Sequence, residues 1–175
     1  MTAASESKTR DLTWEYPGQE GQPFILRDEN GEAGWLVFRE EPAASSGGYD
    51  GKRLLFHYST TLHPRVTVAS EEDPQHIIAE FLTCWTGGGW VSFDSGVRYR
   101  WRKAHLWGGA WCFTRMDEEA SVCLSQESGP LMQGGKVKVC CGAMDQPETK
   151  ILLLLAWFLR IMDFEMLVGG LFRVG

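Results

Sequence analysis

The chain has 175 residues, 43% of them hydrophobic, and its formal net charge at pH 7 is −6, which suits one domain with a substantial core. The acidic excess lies within residues 1–51, which contain ten acidic and four basic side chains, whereas residues 52–175 contain thirteen of each. This balance excludes a generally basic nucleic-acid-binding protein, and eight Trp, nine Phe and four Tyr exclude a fully disordered chain.

The N-terminus does not resemble a targeting signal. Met1–Arg10 lacks the apolar segment of a secretory signal, and Glu6 is atypical of a transit peptide. Five cysteines without a CxxC spacing, and four histidines without metal-ligand spacing, favour reduced thiols and neither a metal nor a cofactor. We therefore predict a disordered lead over residues 1–12 and a single, monomeric, cytoplasmic domain over residues 13–175.

The first clear element is a β-hairpin. Two β-type segments, Phe24–Arg27 and Trp35–Phe38, flank a turn that contains Asn30 and Gly31, and Asn-Gly readily adopts the positive φ angles of a tight turn. The following Pro42–Gly51 is rich in Pro, Ala, Ser and Gly, a composition that predicts a loop.

Short apolar or alternating segments then recur between turn residues, a pattern typical of a β-sandwich or barrel. They are Arg53–Tyr58, Arg65–Ala69, His76–Cys84, Gly89–Phe93, Val97–Trp101, Ala110–Thr114, Ala120–Leu124 and Lys136–Cys141. His76–Cys84 also fits a helical face, although we favour a strand. Together with the hairpin, these segments predict about ten or eleven strands.

The C-terminal segment is different in character. Nine consecutive apolar residues, Ile151–Leu159, follow the helix-starting signal of Pro147, which predicts a helix over about residues 147–166 without a polar face there. Crossing a bilayer takes roughly 17–25 apolar residues, and Arg160 and Asp163 end this segment earlier. We therefore expect the helix to be buried inside a closed antiparallel barrel, with Leu167–Gly175 as a last strand or an exit loop.

The order of these segments resembles the tubby C-terminal-like superfamily, which includes the LURP-one-related proteins and the phospholipid scramblases. The matching segments are Phe24–Phe38, Ser92–Trp101, the strands around Trp111-Cys112-Phe113, and Pro147–Met162. The resemblance implies a mainly β fold, a closed antiparallel barrel of about twelve strands around a buried hydrophobic C-terminal helix. The length of Pro42–Gly51 and the polar residues Arg160 and Asp163 depart from that pattern.

The candidate binding site is a basic strand. Arg98, Arg100 and Arg102 alternate with Tyr99 and Trp101, so a strand would place three guanidinium groups on one face, and Lys103 extends the charge. Arginines spaced in this way suit an anionic headgroup, because each can donate paired hydrogen bonds. Tubby proteins bind phosphoinositides through a basic barrel surface, so the resemblance implies the same ligand class. The alternative is a solvated face neutralised by acids such as Glu118 and Glu119.

An enzyme is the less favoured class. Asp94-Ser95-Gly96 after an apolar strand matches the aspartic protease signature, but such enzymes need two aspartates that share a proton, and the chain has one copy of the motif. We expect a non-catalytic binding or scaffold protein, peripheral to membranes, that contacts anionic phospholipid headgroups. A membrane-anchored, scramblase-like lipid-handling protein and a small-ligand carrier are the alternatives.

Overall fold

The computed structural model describes residues 9–16, 18–19, 21–39, 45–59, 64–84, 88–104, 110–115, 120–125 and 134–172; for residues 120–125, 141–142 and 164–172 it describes the backbone only. Within these residues, twelve strands precede two helices. The strands are β1 (Thr9–Glu15), β2 (Phe24–Asp28), β3 (Gly31–Val37), β4 (Ser45–Tyr49), β5 (Lys52–Ser59), β6 (Arg65–Ser70), β7 (Ile77–Thr83), β8 (Gly89–Phe93), β9 (Arg98–Lys103), β10 (Trp111–Arg115), β11 (Ala120–Ser125) and β12 (Gly134–Cys140). The helices are α1 (Cys141–Met144) and α2 (Thr149–Phe172).

The strands form one antiparallel sheet in which each strand pairs with its neighbour in sequence. β1 pairs with β2 through Trp14 and Leu26, and with β12 through Leu12 and Val137, so the strand order closes as a barrel. Closure leaves no unpaired edge among the described strands. The prediction of a mainly β chain with one long C-terminal helix is confirmed, as are the early hairpin and the strand within His76–Cys84.

Helix α2 is buried by the strands on all sides along its first half. Every residue of Ile151–Leu159 is less than 9% exposed. The Trp157 ring stacks on Trp14 of β1, with centroids 5.5 Å apart, and Phe158 stacks on Phe56 of β5 at 5.2 Å. Because well-separated strands of the sheet supply these contacts, a helix without a polar face is satisfied within the domain.

The helix boundaries differ from the prediction. The helix begins at Thr149, whose hydroxyl donates a hydrogen bond to the carbonyl of Ala143 in α1. It extends to Phe172, so Leu167–Phe172 continues the helix and forms neither a strand nor a loop.

Two strands lie where none was expected. β1 begins at Thr9, so the last four residues of the predicted disordered lead belong to the sheet, and residues 1–8 lie outside the described residues. β4 occupies half of the predicted loop. A Cβ atom at Gly48 would lie 2.6 Å from Trp35 Nε1, so glycine allows this indole of β3 to lie across β4. Packing of this kind compensates for the weak strand propensity of Ser and Gly.

Candidate functional site

The basic strand has the predicted alternation. In β9, Arg98, Arg100 and Arg102 are exposed, whereas Tyr99 and Trp101 are 0% and 3% exposed and belong to the barrel core. The two aromatic rings fix the strand, because Trp101 packs on Trp111 and Phe113 of β10 with centroids 5.3 and 4.5 Å away. The outward positions of β9 are therefore set by a rigid inner face. We call Arg98, Arg100 and Arg102 the arginine row.

Neighbouring strands supply aromatic and small polar side chains to the arginine row. Arg100 lies opposite Trp90 of β8, and its guanidinium carbon is 5.3 Å from the ring centroid, within the range of a cation–π contact. Arg98 lies opposite Ser92, and Arg102 lies opposite Cys112 of β10. In the part of the chain that the structure describes, no carboxylate pairs with the row. The predicted acidic neighbours, Glu118 and Glu119, lie outside that part.

Other outward arginines are paired with carboxylates. Their nitrogen–oxygen distances are 2.6 Å for Arg27 and Glu15, 3.1 Å for Arg53 and Glu71, and 3.3 Å for Arg65 and Glu80. Arg53 provides the best comparison with Arg100, because its guanidinium also lies over an outward indole, 5.7 Å from the centroid of Trp35. The arginine row thus differs from these arginines because no described carboxylate pairs with it. Exposure and contact with an indole do not distinguish Arg100 from Arg53.

Lys103, which was predicted to add to the charge of the arginines, is exposed at the end of β9. It shares the strand parity of Trp101, and its Nζ is 5.6 Å from the ring centroid of Trp111. The Arg160 guanidinium lies 5.7 Å from the same centroid, and its Nη1 is 3.9 Å from Asp163 Oδ2. Burial raises the pKa of Asp163, and the positive charges of Arg160 and Lys103 oppose that shift. Lys103 therefore belongs to a mixed-charge cluster beside α2.

The Asp94-Ser95-Gly96 turn connects β8 to β9 and contacts the start of α2. Asp94 Oδ2 is 3.1 Å from His76 Nε2, and the Ser95 hydroxyl donates a 3.3 Å hydrogen bond to Glu148 Oε1. The Tyr99 hydroxyl of β9 donates a 2.9 Å hydrogen bond to Gln146 Oε1. These contacts give the turn a structural function in positioning the segment that leads into the helix.

Two of the cavities in the described part of the chain lie beside the first turns of α2. The larger, about 490 Å³, is lined by apolar side chains that include Phe93 and Ile151, and by the carboxylates of Glu72 and Glu148. The smaller, about 210 Å³, lies next to the ion pairs of Arg10 with Asp28 and of Lys150 with Asp50. Within the described residues, no three His, Cys, Asp or Glu side chains are placed to hold a metal ion.

Comparisons with family models, curated proteins and solved structures gave no match to this chain. No helix within the described ranges has both the length and the apolar composition needed to cross a bilayer.

Proposed function

We propose that the protein is a non-catalytic, tubby-like binding protein that contacts phosphoinositides or other anionic membrane lipids, at the cytoplasmic membrane surface, through Arg98, Arg100 and Arg102. The observation that carries the proposal is three exposed guanidinium groups on one strand face without a described counter-charge. Several described acidic groups, Glu15, Glu71 and Glu80 among them, pair with other arginines, so a local positive site is compatible with a net charge of −6.

The geometry suits phosphate groups better than a diffuse polyanion. Successive arginines of the row are two residues apart, about 7 Å along the strand, and each guanidinium can donate two parallel hydrogen bonds to one phosphate. A basic side chain near an anionic bilayer contributes about 1 kcal/mol. Three arginines therefore support a modest, salt-sensitive affinity rather than permanent attachment.

The test is co-sedimentation with phosphatidylcholine vesicles that contain or lack phosphatidylinositol bisphosphate. The variant Arg98→Gln/Arg100→Gln is compared with Arg27→Gln/Arg53→Gln, which removes the same formal charge from outward arginines that are paired with Glu15 and Glu71. At about 1 kcal/mol for each arginine, the first variant should bind roughly 30-fold more weakly, and the control should lose much less. Equal binding of all three proteins, or no binding by the wild type, would reject the proposal.

A small-ligand carrier is the second candidate, because the 490 Å³ cavity beside α2 has an apolar wall that contains Phe93 and Ile151. Pockets of 300–1,000 Å³ commonly hold small molecules. Native mass spectrometry of the purified protein distinguishes the two candidates, since a carrier should retain a bound small molecule. A scramblase-like anchor has less support, because the first half of α2 is enclosed by strands.

A further inference from the structure

An outward row of side chains crosses four strands beside the arginine row. The register aligns Arg65 of β6 with Leu82 of β7, Leu82 with Trp90 of β8, and Trp90 with Arg100 of β9. Directly opposed side chains on one sheet face have Cβ atoms about 5 Å apart, so these four residues are contiguous. The row spans about 15 Å across the strands, with an apolar pair between two cations.

The apolar pair of this row is unusually exposed. Leu82 is 43% exposed, and among the described residues only Ile77 is a comparably exposed large apolar side chain, at 41%. Trp90 is half-buried and carries the Arg100 guanidinium over its ring. Glu80, a described carboxylate two residues before Leu82 in β7, is paired with Arg65 at 3.3 Å. The surface around the pair is therefore cationic on the side of β9 and neutralised on the side of β6.

We propose that Leu82 and Trp90 insert between lipid headgroups when the arginine row binds an anionic bilayer. This inference rests on the proposed function and specifies its partner as the bilayer surface, not a free inositol phosphate. An indole is stable at the membrane interface, where its ring contacts acyl chains and its N–H remains hydrated, and an exposed leucine gains by leaving water. Cationic side chains beside an apolar pair combine the two attractions that hold proteins at anionic interfaces.

Charge complementarity favours this occupant over a protein partner. Three arginines without a described counter-charge lie beside the pair, and a bilayer supplies a continuous anionic surface over an apolar interior. A convex barrel wall contacts a flat bilayer along a narrow band, which matches a patch of about 15 Å by 13 Å defined by the outward row and by Arg98–Arg102.

The direct test places an environment-sensitive nitrobenzoxadiazole probe at each of two matched sites. Leu82→Cys and Ile77→Cys are made in a Cys84→Ser background, because Cys84 is an exposed free thiol, and the background alone measures labelling at other cysteines. With anionic vesicles, emission from the probe at position 82 should increase at least twofold and shift to the blue, whereas the probe at position 77 should change little. Soluble inositol hexakisphosphate should change neither probe.

An unlabelled pair of variants gives the second readout. Leu82→Ser should weaken binding to anionic vesicles about fivefold, with binding of the soluble inositol phosphate unchanged, and Ile77→Ser should match the wild type. Because both serine variants alter equally exposed positions of β7, a folding defect should affect both of them. If the wild type binds anionic vesicles but the position-82 probe stays in water and Leu82→Ser binds normally, insertion is refuted and the arginine proposal stands. Loss of vesicle binding in the wild type refutes both proposals.

Discussion

Replacing Leu155 by alanine tests whether the barrel encloses α2 in solution. Leu155 is 0% exposed in the middle of Ile151–Leu159, and aromatic rings from different strands pack against this part of the helix at Trp157 and Phe158. A closed wall of paired strands restricts collapse around the missing side chain, so the cavity should persist. Buried leucine-to-alanine changes cost about 2–5 kcal/mol, and limited collapse places this one in the upper part, at about 4 kcal/mol.

The matched control is Leu82→Ala. This side chain is 43% exposed in the folded protein, so folding removes less of it from water than it does of Leu155, and truncating it leaves no enclosed cavity. That change should cost less than about 1 kcal/mol. Urea unfolding, followed by circular dichroism and by tryptophan fluorescence, measures both variants. The melting temperature should fall by about 10 °C for Leu155→Ala, since a protein of this size loses roughly 2–4 °C for each kcal/mol. An equal loss of unfolding free energy in the two variants would refute the enclosure of α2, because position 155 would then tolerate truncation as well as a surface position does.

Two further predictions concern backbone packing and pH. Gly48→Ala should destabilise the fold by about 1–3 kcal/mol in urea unfolding, since its Cβ would lie 2.6 Å from Trp35 Nε1 and 2.8 Å from the carbonyl oxygen of Lys52. Unchanged stability would mean that the indole does not lie across β4. Burial raises the pKa of Asp163 in the folded state, so its contribution to stability is present below the unfolded pKa and is lost as pH rises through the folded pKa. Asp163→Asn should therefore raise the free energy of unfolding at pH 7 by less than about 1 kcal/mol, with no difference near pH 3. A lower free energy of unfolding at pH 7 would show that the pairing of Asp163 with Arg160 outweighs the cost of burying its charge.

Strands with a strong alternating pattern were predictable from sequence, and strands held by tertiary contacts were not. Gly89–Phe93 was predicted to the residue, because apolar positions alternate between turn residues. In β4, by contrast, Ser45–Tyr49 has a loop-like composition, and its strand depends on Trp35 from β3 and on pairing with both neighbours. β1 begins with the polar residues of Thr9–Asp11, so its start gave no apolar signal.

The same distinction applies to the site. The face of each arginine in β9 followed from strand parity, which also gives Lys103 the parity of Tyr99 and Trp101, although its side chain is exposed at the end of the strand. The apolar neighbours could not be predicted, because Leu82 and Trp90 are brought beside Arg100 only by the register of three strands. A one-residue change in register would move these side chains to the other face, and sequence patterns do not determine register to that accuracy.

In each strand of the site, the barrel assigns core packing to the inward positions and leaves the outward positions free for binding. Inward positions such as Tyr99 and Val91 must fill the space around an apolar helix, and both are 0% exposed, so nearly any change there costs stability. Outward positions are released from that requirement, because closure leaves them facing solvent without a second layer to pack against. Arginines without a described carboxylate partner and an exposed leucine on that face add little to the stability of the fold, since even exposed ion pairs contribute little and exposed apolar groups nothing. Their concentration on β7–β9 is therefore not required by folding, and the proposed anionic partner would account for it.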